Sequence, residues 1–176
     1  LRRSSAASDV YKRQHKGPNS GVIIVLGMIV ACDRNGAIGK DGDLPWRQST
    51  DLKHFKQITM NSNLIMGRKT WDSLPGKLPG REHYVLSRGN IDSVEVITLE
   101  QALEMDGWVI GGGQIYELFL DKVTILHRTI IDTRVSGADT YFPDITGRGF
   151  ILDEEKHVTA GPNDQHDMVF QVWKRE

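Results

Sequence analysis

Between residues 22 and 176 the chain alternates short apolar runs, glycine- and proline-marked turns, and stretches of helical spacing. The run from Val22 to Cys32 is too short to cross a bilayer. Its Val and Ile content and the Asp33-Arg34-Asn35-Gly36 turn behind it predict a fully buried central strand over 22–31. A Gly- and Asp-rich loop, 33–48, follows, with Gly36, Gly39, Gly42 and the Leu44-Pro45-Trp46 triplet; loops this long inside a compact domain are usually functional. Ser49 or Thr50 is expected to cap the next helix, with Asp51 in its first turn and Leu52, Phe55 and Ile58 or Thr59 on one face.

The same rhythm continues to the end of the chain. A strand over 63–66 feeds a helix through Gly67, and that helix ends at Pro75-Gly76. Strands over 83–87 and 94–97, a helix over 99–105 and a strand over 108–110 come next. Gly111-Gly112-Gly113 opens a helix with Ile115, Leu118 and Phe119 on its apolar stripe. A strand over 123–131, a loop through Gly137 and Pro143, and two strands over 150–160 and 166–174 close the domain. Alternating strand and helix predicts an α/β single domain: a central, mostly parallel eight-stranded sheet with an antiparallel C-terminal edge hairpin, flanked by about four helices.

Composition removes several alternatives. The whole chain has 176 residues, 39% hydrophobic and 26% charged, which suits one globular domain able to bury roughly 70% of its unfolded surface. With 22 Lys+Arg against 23 Asp+Glu there is no net field to gather nucleic acid or an anionic membrane. The partner is expected to be a small molecule. Cys32 is the one cysteine, so neither an intrachain disulfide nor a cysteine zinc site can form. The six histidines (15, 54, 83, 127, 157, 166) lack metal-ligand spacing, and no metal is expected.

Residues 1–21 carry five Lys/Arg, one Asp and a Gly-Pro-Asn-Ser-Gly ending. They read as a disordered leader, either a cloning or translation joint or an Arg/Ser-rich transit segment, ahead of a domain over 22–176. Ile29-Val30-Ala31-Cys32 also resembles a lipoprotein cleavage box, but processing there would remove the best core segment.

Two strand-glycine-helix junctions carry candidate chemistry. Met66-Gly67-Arg68-Lys69-Thr70 places two cations and a hydroxyl where phosphate oxygens can sit, and Gly111-Gly112-Gly113 forms a second such turn. Two junctions suit a dinucleotide with separated phosphates. Ser87-Arg88, at the end of another strand, adds a cation near the carboxyl edge of the sheet, where ligands of open α/β folds bind. Arg68, Lys69 and Arg88 together favour a 2′-phosphate, although each also reads as a solvated surface charge. Asp51 borders the apolar face of its helix: it is either a capping acid or a buried acid with a raised pKa, able to support protonation of a bound heterocycle.

Residues 22–176 resemble dihydrofolate reductase of the bacterial chromosomal or phage type. The resemblance rests on Ile29-Val30-Ala31, Ile38-Gly39, Leu44-Pro45-Trp46, Asp51-Leu52-x-x-Phe55-Lys56, Ile65 to Trp71, Leu78-Pro79-Gly80-Arg81, Ile110 to Tyr116 and Asp139 to Pro143, in that order. It implies reduction of 7,8-dihydrofolate to tetrahydrofolate with NADPH, by hydride transfer to C6 and protonation at N5, supporting one-carbon metabolism. By resemblance, Asp51 hydrogen-bonds the pteridine and promotes N5 protonation, Trp46 positions a water beside it, Thr129 bonds the acid, and Tyr116 lies near the nicotinamide. Ile29, Ala31, Leu52, Phe55, Leu74 and Ile110 match the substrate pocket, while Arg81, supported by Lys56, matches the anchor of the glutamate α-carboxylate.

On the cofactor side the resemblance implies Ile38, Gly39, Gly67, Arg68, Lys69, Thr70, Leu86, Ser87, Arg88, Gly111, Gly112, Gly113, Gln114 and Ile115, with a cis peptide between Gly111 and Gly112. Residues 33–48 then match a mobile lid over nicotinamide, and 133–140 a loop that braces it. A monomeric cytoplasmic enzyme that binds antifolates is the expectation, with Leu52, Leu74 and Ile110 among the drug contacts. Departures from the family pattern are Gly137-Ala138-Asp139, one residue longer than usual, the polar Gly42-Asp43 in the lid, and His127-Arg128 before Thr129. The alternatives are a riboflavin-pathway pyrimidine reductase of related fold, disfavoured by Asp51-Leu52, Trp46 and Arg81, and a non-catalytic nucleotide-binding protein.

Overall fold

A computed structural model describes residues 24–176. The leader, Val22 and Ile23 lie outside the described residues. An eight-stranded sheet runs in the order β5-β4-β3-β6-β1-β7-β10-β9. Its strands are β1 (Leu26–Asp33), β3 (Asn63–Gly67), β4 (Glu82–Leu86), β5 (Glu95–Ile97), β6 (Gly107–Val109), β7 (Ile125–Ile131), β9 (Phe150–Val158) and β10 (Met168–Arg175). All pairings from β5 across to β7 are parallel, while β10 is antiparallel to both β7 and β9. Among the described residues the helices are α1 (Ser49–Thr59), α2 (Arg68–Ser73), α3 (Leu99–Leu103) and α4 (Gly113–Phe119). The predicted architecture, including the C-terminal edge hairpin, is the observed one.

Alternation along β1 divides the core. Leu26, Met28, Val30 and Cys32 point to the face covered by α3 and α4, where Ala102, Phe119 and Leu120 meet them. Ile29 points to the opposite face with Leu64, Met66 and Trp108, packed under Phe55 and Ile58 of α1 and Trp71 of α2. Gly27 lies on this second face because a Cβ there would come within 2.5 Å of the Trp108 ring. The indole therefore lies across β1, edge-on to His127 at 5.2 Å between ring centroids.

Several boundaries differ from those read in the sequence. The first strand is Leu26–Asp33 rather than 22–31, since the Val25 N–H turns away to the Asp106 carboxylate and the Asp33 side chain is buried as a strand-ending acceptor. The 33–48 loop is not wholly irregular: it contains β2 (Ala37–Gly39), which pairs antiparallel with β8 (Thr140–Tyr141). Neither Ser49 nor Thr50 caps α1. Gln48 holds the N-cap position without a side-chain cap, and the missing acceptor comes from Asp164, to which Thr50 N–H donates at 2.8 Å. The helix after Gly67 stops at Ser73, before Leu74.

Candidate active site

The candidate site lies along α1 on the Ile29 face of the sheet. Asp51 occupies the first turn of α1 and is turned toward β7, where it shares a hydrogen bond with the Thr129 side chain. Thr129 is itself buried and Asp51 is half-buried, so the pair sits at the margin of the core. Burial pushes the Asp51 carboxyl up to about 6; the bond to Thr129 works against the rise, and the negative charge of Asp164 adds to it. Asp51 thus combines features of both readings open in the sequence: it is an acid of the first helical turn, half-buried and turned toward the sheet by its bond to Thr129. Trp46 is buried nearby against Ile131 and Met168, with Ala31 and Phe170 at the margin.

Arg81 sits at the other end of α1. Its Nη1 donates to Thr59 Oγ1 at 3.3 Å and its Nε to the Pro79 carbonyl at 3.1 Å. Two features hold the turn that carries it. Gly80 has φ +79°, and a Cβ there would strike Met60 Sδ at 2.5 Å; His83 is buried and its Nε2 accepts the Leu78 N–H at 3.0 Å. Eight residues of helix separate Asp51 from Thr59, a rise of ~12 Å. An acid and a cation so spaced, joined by Phe55, Ile58 and the Leu74 and Ile110 side chains packed near them, suit a flat heterocycle with an apolar middle and an anionic tail. Leu52 is 62% exposed on the same helix, and Lys56 is exposed beyond it.

Tyr116 reaches under the site from α4. Its hydroxyl lies 2.8 Å from both the Ile29 and Ile110 carbonyl oxygens, donating to that pair, and burial pushes its pKa up strongly. The phenol therefore stays neutral and ties β1 to the chain leaving β6.

The two glycine junctions meet at the carboxyl ends of β3 and β6. Gly67 N–H donates to the Gly111 carbonyl at 2.9 Å, and the Gly111–Gly112 peptide is cis. A Cβ on Gly67 would lie 2.8 Å from Ile115 Cγ1, on Gly113 3.0 Å from Thr140 Cγ2, and on Gly112 3.5 Å from Thr70 Oγ1. The glycines thus let the two strand ends, the turn and the helix pack against Ile115, Thr140 and Thr70 with no side chain between them. Lys69 and Arg88 are exposed, Leu86 and Ser87 half-buried, Gln114 exposed. Arg68 instead lies along α2 against Asp72 at 3.3 Å. Backbone amides with Lys69, Thr70, Ser87 and Arg88 form a donor set that fits a phosphate-bearing nucleotide.

Segments 33–48 and 133–140 are tied together. Ile38 packs on the core, and Gly39 lies so close to Thr140 that a Cβ there would come within 3.3 Å of the Thr140 Cβ. Asp139 accepts from the Asp41 N–H at 2.8 Å, and Lys40 Nζ donates to the Ser136 carbonyl at 2.8 Å. Asp33, read in the sequence only as a turn residue, is the buried hub: it accepts from Asn35, Ala37 and Val135 N–H groups at 2.8, 2.8 and 2.7 Å. Nothing in a lone aspartate at a strand end signals three partners, one of them 102 residues away.

His127, one of the departures noted in the sequence, faces α1 rather than solvent. It packs against the Trp108 edge and lies 6.2 Å from His54, which stacks on Phe170 at 4.0 Å. Its Nδ1 has no hydrogen-bond partner, and burial, with the neighbouring His54, pulls its pKa down to about 4. An unfolded histidine titrates near 6.5, so His127 contributes stability above that pH which is lost as pH falls toward 4. Asp51 acts in the opposite sense: its raised folded pKa contributes stability in acid that is lost as pH rises from 3.8 through about 6. The two slopes oppose each other over that interval. His127→Phe is expected to gain stability in acid relative to the parent, by about 2 kcal/mol at pH ~4.5 and much less at pH ~7.5. Urea unfolding at the two pH values measures this; an equal change at both would remove His127 from the account.

Among the described residues no three His, Cys, Asp or Glu side chains gather as a cation would require, and no helix is long and apolar enough to cross a membrane. The family model described as dihydrofolate reductase matches residues 25–175. The dihydrofolate reductase of Mycobacterium tuberculosis is 47% identical over 116 residues, 61% of this chain and 72% of its own length. Type 3 dihydrofolate reductase of Salmonella typhimurium is 38% identical over 162 residues, 87% of this chain and 99% of its own. A solved structure of the Enterococcus faecalis enzyme, complexed with NADP(H) and RAB-propyl, superposes with TM-score 0.78 at 28% identity, covering 86% of this chain and 96% of that one. A family match spanning nearly every described residue means that this chain belongs to the dihydrofolate reductase family.

Proposed function

We propose that the protein reduces 7,8-dihydrofolate to tetrahydrofolate with NADPH, regenerating the carrier for one-carbon transfer. The observation that carries this reading is the placement of Asp51 and Arg81 at opposite ends of α1, with the glycine junctions alongside. NADPH, when bound, supplies the hydride. Lys69, Thr70, Ser87 and Arg88, with the backbone at Gly67 and Gly111 to Gly113, would hold its phosphates. The protein's own work is orientation, exclusion of water and control of one proton.

Asp51 fixes the pterin by its carboxyl and raises the proton affinity at N5, where a proton must arrive as C6 accepts hydride. A carboxyl with a pKa near 6 is in part protonated near neutrality, whereas an ordinary aspartate is not. Thr129 keeps the carboxyl facing the ring, and Trp46 walls the site beside it. Ile29, Ala31, Leu52, Phe55, Leu74 and Ile110 form the apolar walls, and Arg81 pairs with the glutamate tail. Ile38 and Gly39 of the lid close over the nicotinamide end, with Tyr116, Gln114 and Ile115 beneath it.

Mass analysis of the folate product after incubation with NADPH tests the reaction: a gain of two hydrogens on dihydrofolate is expected. Conversion of an amino-pyrimidine ribitol phosphate instead would point to the pyrimidine reductase. Cofactor choice has its own test. Arg88→Ala is expected to raise KM for NADPH by about 10-fold, through loss of a charge-assisted contact to the 2′-phosphate, with little effect on NADH. Equal losses for both would remove Arg88 from that role.

A further inference from the structure

The N-terminus of α1 is clasped by the loop between β9 and β10. Asp164 accepts from both the Thr50 N–H and the Thr50 hydroxyl. Arg47 N–H donates to Gln165 Oε1 and accepts in return at its carbonyl from Gln165 N–H, at 2.8 and 2.9 Å. Gln48 Nε2 donates to the His166 carbonyl, and His166 N–H donates back to Gln48 Oε1, each at 2.8 Å. Asp164 is itself preset: its carboxylate accepts the Gly161 N–H at 2.8 Å, and a Cβ on Gly161 would crowd it at 3.2 Å. Residues more than a hundred positions apart thus supply the cap that the local sequence leaves out.

We propose that Asp164 is a positioning residue for the reductive step: through Thr50 it fixes the first turn of α1, and so holds the Asp51 carboxyl against Thr129. Thr50 and Asp51 are adjacent, and a first helical turn without an acceptor for its amides frays. Asp164 also places a negative charge near Asp51, which favours the protonated carboxyl. The other groups that face or couple to Asp51 are Thr129 of β7, Cys32 of β1 and Tyr116 of α4, the last two held neutral by burial; Lys53 on α1 lies beside Asp164. Removing that charge lowers the proton affinity of Asp51; loosening the clasp lowers it further by wetting the carboxyl, while loss of the Thr129 bond works the other way. The catalytic consequence rests on the proposed role of Asp51; the coupling itself does not.

Carboxyl 13C NMR titration of Asp51 in the ligand-free protein, alongside the pH profile of kcat, separates the two. Asp164→Asn removes the charge, and Asp164→Ser gives a second neutral residue that can still accept the Thr50 amide. Both are expected to lower the Asp51 midpoint by about 0.5 to 1 unit. Above that midpoint kcat should fall by about 3- to 10-fold, with KM for NADPH unchanged. Thr50→Val keeps both the charge and the amide bond to Asp164 and removes only the hydroxyl bond, so it is expected to lower kcat less than either Asp164 variant and to shift the midpoint little. An Asp51 midpoint unmoved in both Asp164 variants, or the parent's kcat in both, overturns the proposal. A shifted midpoint in a protein that does not turn over dihydrofolate upholds the coupling and rejects the assigned reaction instead.

Discussion

Asp51→Asn is expected to lower kcat for dihydrofolate by about 10²- to 10⁴-fold, the range of general acid–base effects, with NADPH affinity unchanged. The substitution preserves size and a hydrogen bond to Thr129 but removes the titrating proton. The deficit should shrink as pH falls, because N5 can then draw on solvent. Stability moves the other way: the buried carboxylate opposes folding at neutral pH, so the amide variant should be more stable there, by on the order of 2 kcal/mol. Single-turnover NADPH oxidation and urea unfolding measure the two effects. Loss of activity together with loss of stability would mean a structural Asp51, with no special tie to the proton.

Arg81→Leu is expected to raise KM for dihydrofolate by about 10²-fold while changing kcat little. A fork of charge-assisted bonds to a carboxylate is worth on the order of 3 kcal/mol. That contact lies at the far end of α1 from the reacting ring and is the same before and during hydride transfer, so it affects binding rather than the chemical step. A pterin substrate without the glutamate tail should show no difference between parent and variant. If the variant lost affinity for the tailless pterin as well, the turn held by His83 and Gly80 would have collapsed, and Arg81 would be a structural residue.

The sheet and its edge hairpin were legible because β1, β3 and β6 are continuous apolar runs and each glycine junction marks a change from strand to helix. Register and short elements were not. Three residues such as Ala37–Gly39 carry no periodicity, and β2 exists because β8 meets it across more than a hundred residues of chain. In the candidate site, turns were legible wherever glycine or proline marks them, as at Leu78 to Arg81 or Gly111 to Gly113. The site was not legible where a side chain's role depends on distant partners. Periodicity alone made Asp51 a helix-capping acid before a buried one; its contacts with Thr129 and Asp164 come from distant segments. Arg68, read as a phosphate cation, also pairs with Asp72 one helical turn on, at 3.3 Å and with both side chains largely exposed, as i, i+4 spacing allows. His127 fills the space between Trp108 and His54, a contact that its neighbours in sequence do not announce.

The central claim is that Asp51 controls the proton for an NADPH-dependent reduction. The most direct measurement is the single-turnover rate of NADPH oxidation by dihydrofolate, followed from about pH 5 to about pH 9 in the parent protein and in Asp51→Asn. The account predicts a parent rate that is highest in acid and falls as pH rises through a midpoint near 6 or above, with the variant slow and lacking that midpoint. A parent rate indifferent to pH, or a variant that follows the parent's curve at the parent's rate, would contradict it.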